Sequence, residues 1–308
     1  MEKTGYADRP SEQREPVPGF RKLMVAVDFS KSSIDALSYA ENLSRAHGSD
    51  LILAHVASSM TDFSADAGPL FMRPETGPNM AEDLEHLANK LMASGVKART
   101  IIREGLVADV LEEIVQVERP DLLVVGTHGA HGLERLIIGS SAESILRRVS
   151  SPVLTIGPEC KNVTRTKVTL QTILYVTVLR HASETALLYV ASLARTTHAH
   201  VDITHAIEEN YELASQTVEL ELQSQAHTLA GLLVRGSDGQ VSAHRVYGEP
   251  VEALVHRALK IQADWIVLGV ERGGPLSSFL PAGVAYRLVC AAPCPVLTLK
   301  KENPIHSR

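Results

Sequence analysis

The chain repeats itself, and no other feature restricts its fold as much. Leu23-Met24-Val25-Ala26-Val27-Asp28 returns as Ile173-Leu174-Tyr175-Val176-Thr177-Val178. Leu51–Val56 returns as Val201–Ala206, Asp121–Gly126 as Asp264–Gly269, and Ser151–Ile156 as Cys294–Leu299, in the same order and 143 to 150 residues apart. A repeat of this length is a whole domain copied in tandem. A chain of 308 residues suits two domains of ordinary size.

Within each copy, short apolar runs alternate with helical patterns, the signature of βαβ units and a parallel sheet. In the first copy the patterns predict strands near 22–28, 50–56, 97–103, 121–126 and 152–156, and helices near 32–47, 80–94, 106–117 and 140–149. Ser32-Ser33 offers a cap for the first helix, and Asp28 is a competing cap. In a five-stranded sheet of order 3-2-1-4-5, the ends of strands one and four are neighbours, at the point where ligands bind such folds. The chain divides into a disordered tail (1–19), a first domain (20–157), a linker (158–170), a second domain (171–300) and a C-terminal tail (301–308). Ala57–Asn79, rich in Ser, Gly, Asp and Pro, has the length of a functional loop. Its counterpart, Glu208–Leu233, reads as mostly helical.

Gly126-Thr127-His128-Gly129 follows the apolar run Leu122–Val125, and Gly139-Ser140-Ser141 opens the next helical segment. A glycine-rich loop between a strand and a helix lets backbone N–H groups approach an anion, and the helix start adds unpaired donors. Phosphate is the natural ligand.

Composition narrows the field. A net charge of −6 and 4% aromatic residues leave neither a basic footprint nor a stacking surface for nucleic acid. Met1–Phe20 is polar, with three prolines, and lacks the apolar segment of a signal peptide. No apolar run approaches the roughly 18 residues of a membrane span. Three cysteines make no disulfide framework, so a cytoplasmic location is expected. Cys290 and Cys294 lack a second pair and read as packing thiols. His128 and His131 read as loop residues, and His55 and His205, at equivalent strand ends, as structural hydrogen-bonding groups.

With Gly126, Gly129, Gly139 and Ser140 in a Gly-x2-Gly-x9-Gly-Ser pattern, and with Val27-Asp28-Phe29-Ser30 and His55-Val56 at two strand ends, the chain resembles the universal stress protein family in its tandem form. The resemblance covers about 20–157 and 171–300. It implies two tandem α/β, Rossmann-like adenine-nucleotide-binding domains, each a five-stranded parallel sheet, paired through their fifth strands as a pseudo-dimer. It also implies ATP as ligand: Asp28 on the ribose, Val56 holding adenine through its backbone, Gly126, Gly129 and Gly139 lining the phosphates, and Ser140 and Ser141 donating to the outer ones. Mg²⁺ or Mn²⁺ would arrive on the phosphates, since no metal cage is visible.

The second copy departs at these points. Val178 stands for Asp28, Ala206 for Val56, Arg272 for Gly129 and Ala282 for Gly139, while Gly269 is kept. The expected function is therefore a stress-response nucleotide switch in the first domain, with the second as packing partner. It would be read by a protein partner, without membrane or nucleic acid, and a further homodimer is left open. No lysine follows the glycines as in a P-loop, so at most slow ATP hydrolysis or autophosphorylation at Ser140-Ser141 is expected. Two rivals are an adenylylating enzyme of the related adenine-nucleotide hydrolase-like group, for which Arg135 and Arg73 are the available cations, and a ligand-free dimerisation scaffold.

Overall fold

The computed structural model describes residues 19–57, 80–127, 138–160, 170–177, 184–207, 215–233, 241–270 and 282–300. The Ala57–Asn79 loop (bar Ala57), most of the linker, both tails bar Gly19, and Arg73, His128, Gly129, His131, Arg135, Val178 and Arg272 lie outside these residues.

The first repeat runs β1 (Lys22–Ala26), α1 (Lys31–His47), β2 (Asp50–Ala57), α2 (Met80–Ala93), β3 (Ala98–Glu104), α3 (Val107–Glu118), β4 (Leu122–Gly126), α4 (Ser140–Arg148) and β5 (Val153–Ile156). The second runs β6 (Thr172–Val176), α5 (Glu184–Thr197), β7 (His200–Ile207), α6 (Ser215–Leu233), β8 (Val241–Tyr247), α7 (Pro250–Lys260), β9 (Trp265–Val270), α8 (Ala282–Ala291) and β10 (Val296–Lys300). Strands β1, β4, β6 and β9 are near-continuous apolar runs because helices cover both faces of the sheet.

All strands join one ten-stranded sheet of order β3-β2-β1-β4-β5-β10-β9-β6-β7-β8. Each half has the expected 3-2-1-4-5 order. The halves meet where β5 and β10 pair antiparallel, with Leu154 opposite Leu297. One buried apolar layer, under α1, α2, α5 and α6, and another, under α3, α4, α7 and α8, run across both repeats. The Nε1–H of Trp265 in β9 donates to the Tyr39 hydroxyl in α1 at 2.6 Å, across the joint. The Lys300 ammonium donates to the Arg147 carbonyl, at the end of α4, at 3.0 Å. Cys290 and Cys294 are buried. Burial pushes the Cys290 thiol up to about 11 and raises that of Cys294 further, as suits packing thiols.

Two local expectations are corrected. The cap of α1 is Ser30, whose side chain accepts the Ser33 N–H at 3.1 Å. Ser32-Ser33 lies inside the first turn. Asp28 does not cap the helix either: its carboxylate accepts the Ser30 N–H at 3.0 Å, closing a turn between β1 and α1.

Candidate functional site

The carboxyl ends of β1, β2 and β4 converge on one cleft. Asp28, Val56, Gly126 and Ser141 all line it, with Val107 and Leu111 of α3 and Ile145 of α4 as its apolar wall. Asp28, two residues past β1, is exposed, and Val56 is half-buried at the end of β2. The turn holding Asp28 is strained: Phe29 sits at φ 62°, a left-handed conformation unfavourable for a bulky residue, with its ring 5.4 Å from that of His55. His55 Nδ1 contacts the Val27 carbonyl at 2.7 Å, and His205 Nδ1 contacts the Thr177 carbonyl at 2.8 Å. A carbonyl accepts only from a protonated nitrogen, so both rings carry Nδ1–H and tie strand end to strand end in each repeat.

At the other end of the cleft, α4 begins. The Glu143 N–H is the first to bond within the helix, to Gly139 O at 2.9 Å. The N–H groups of Ser140, Ser141 and Ala142 are left without an intrahelical acceptor, at the positive end of the helix dipole. Ser140 and Ser141 are exposed there. Gly139 itself offers no donor, because its N–H is bound to Thr127 O at 2.8 Å. Its φ of −64° and ψ of 146° are ordinary extended values.

Gly126 has a structural reason to be glycine. A Cβ on it would lie 2.6 Å from the Ser32 carbonyl carbon and 2.7 Å from its oxygen, against the first turn of α1. The sequence pattern attributes this glycine to a phosphate; the backbone of α1 already requires it.

The cleft thus has an exposed carboxylate at one end, open backbone donors at the other and an apolar middle. Its enclosed volume is about 80 Å³. That is below the roughly 300–1,000 Å³ of clefts that engulf small ligands, so the cleft is a shallow one. Ser33 was missed by the sequence reading; it lines the cleft, and its hydroxyl accepts the Asp28 N–H at 3.3 Å. Its spacing from the capping Ser30 was the available signal. Val107 and Leu111 were missed because they come from a helix that carries no motif. In the second repeat, Ala206 occupies the end of β7, and Ala282 and Gly283 open α8. Among the described residues no group of three or more His, Cys, Asp or Glu is placed to hold a metal, and no helix is long and apolar enough to cross a membrane.

Fold and cleft together define a doubly wound α/β protein with a cleft at the strand-order switch of its first half. The universal stress protein family matches residues 19–157 and again 169–300, and the chain belongs to that family. A universal stress protein of Mycolicibacterium smegmatis is 25% identical over 294 residues, spanning 90% of this chain and 96% of its own. One from Methanocaldococcus jannaschii is 27% identical over 139 residues, 44% of this chain and 82% of its own. The crystal structure of a universal stress protein from Archaeoglobus fulgidus superposes with a TM-score of 0.68 at 19% identity, covering 91% of this chain and 98% of its own.

Proposed function

We propose that the first repeat binds an adenine nucleotide, ATP carrying Mg²⁺ or Mn²⁺, as a regulatory signal in the cytoplasm, with the second repeat as its packing partner. The observation that carries this reading is the convergence of Asp28, Val56, Gly126 and Ser141, from four separate stretches of sequence, on one cleft. A carboxylate at the mouth suits two ribose hydroxyls, since it accepts both, whereas beside a triphosphate it would repel. The open N–H groups of Ser140, Ser141 and Ala142 suit phosphate oxygens. Val56 would present its backbone to the base, and Gly129 would give the loop close approach. Gly126 and Gly139 serve by shaping the passage from β4 to α4. The metal ion would neutralise phosphate charge when bound.

The test is calorimetric titration of the nucleotide-stripped full chain with Mg-ATP, beside Gly129→Arg, which copies the second repeat's residue. One site per chain is expected, lost in the variant, with the ligand-free melting temperature unchanged. Gly126 is unsuitable for this purpose, because its replacement would disturb α1. An absence of heat in the parent chain would overturn the reading and leave a duplicated scaffold.

A further inference from the structure

We propose that the outer edge of β3 is a docking site for an extended acidic segment of a partner protein, added to the sheet as an eleventh strand. β3 ends the strand order, and among the described residues only β2 pairs with it. Leu51 N–H bonds Lys97 O, and Gly105 N–H bonds Ala57 O, so the odd-numbered residues spend their backbone groups on β2. Ala98, Thr100, Ile102 and Glu104 therefore turn their N–H and C=O groups outward, a template for strand addition.

The side chains select the partner. Lys97, Arg99 and Arg103 fall on one face of the strand, the face on which Ile101 packs toward the α3 layer. Arg99 is paired with Glu118, which also bonds Lys22, while Lys97 and Arg103 have no carboxylate partner among the described residues. Lys97 and Arg99 also line a groove of about 470 Å³ that runs inward from β3 across the starts of β2 and β1, with Lys22 adding a further cation and Asp50 a carboxylate. The equivalent edge of the second repeat carries Gln240, Ser242 and Val246 where these cations stand. A second copy of the chain is a poor occupant. In any antiparallel self-pairing odd residues face odd residues, which puts both rows of cations on one face. Edge cations keep like chains off a sheet; an acidic strand turns the same charges into attraction.

The test is fluorescence anisotropy of the full chain with a labelled heptapeptide alternating Glu with Val and Thr. Saturable binding is expected. It should weaken about tenfold or more for Lys97→Glu/Arg103→Glu, by a similar factor for a peptide methylated on alternate backbone nitrogens, and not at all for Lys260→Glu. Lys97→Gln/Arg103→Gln, with melting checked by circular dichroism, serves if the reversed charges unfold the chain. No binding by the parent chain, or equal binding by the charge variants or of the methylated peptide, would overturn the proposal.

Discussion

Tyr39 and Tyr189 hold the same position in the two repeats, yet their hydroxyls are treated differently. Both are buried, and burial raises both phenol pKa values. Tyr39 accepts the Trp265 indole N–H. The counterpart of Trp265 in the first repeat is Leu122, whose side chain has nothing to donate, and the Tyr189 hydroxyl is buried without a hydrogen-bond partner among the described residues. Tyr39→Phe should cost about 1–3 kcal/mol, because it strands the indole N–H. Tyr189→Phe should be neutral or slightly stabilising. Urea unfolding midpoints of the two variants measure the contrast, and equal losses would refute it. Gly126 and Gly269 follow a similar logic. The second repeat keeps the glycine that stands where α1 crowds Gly126 and drops those at the Gly129 and Gly139 positions. Crowding by α1 gives a packing reason for the kept glycine, whereas Gly139, with ordinary extended backbone angles, has no such requirement.

Between β7, β8 and α7 lies a polar network with no counterpart in the first repeat. Asp202 accepts from the Thr204 hydroxyl at 2.6 Å, from the Ser242 hydroxyl at 3.0 Å and from Arg257 Nε at 3.2 Å. Ile52, Ala54 and Ile114 stand at the positions of Asp202, Thr204 and Arg257. Burial pushes the Asp202 carboxyl up, but the Arg257 guanidinium and the Thr204 hydroxyl outweigh it and hold the carboxyl below its ordinary 3.8. A depressed folded pKa adds stability above the unfolded value and loses it as pH falls through the folded one. Melting temperature should therefore drop steeply below about pH 4, and Asp202→Asn should flatten that drop while destabilising the protein at pH 7, since the half-buried Arg257 loses its carboxylate. An unchanged acid limb in the variant would contradict this. The network was illegible in the sequence because Asp202 and Arg257 are 55 residues apart and meet only when α7 docks. Strands and helices of the first repeat were legible to within a residue or two, because apolar periodicity is local. The choice of cap was not: Asp28, Ser30, Ser32 and Ser33 are all chemically competent, and only the backbone path selects Ser30.

At the scale of the molecule, the duplication was readable because it is written four times, and the pairing of the fifth strands from their edge position and the family resemblance; the antiparallel direction is a finding of the structure. The closeness of the joint was not readable. Gly157, just past β5, sits where a Cβ would lie 2.7 Å from the Val289 carbonyl oxygen of α8. Leu154 is fully buried opposite Leu297. Leu154→Lys should place an unpaired charge in the joint and split one cooperative melt into two, seen by calorimetry; a single unshifted transition would argue that the joint contributes little. Fusion of two unequal halves also sets the form of the response. A pair of identical clefts in a symmetric assembly can sharpen its dose–response curve by cooperativity. With the proposed site present once per chain and the other half covalently fixed beside it, occupancy of a lone chain follows a simple hyperbola, a graded reading of ligand concentration rather than a threshold.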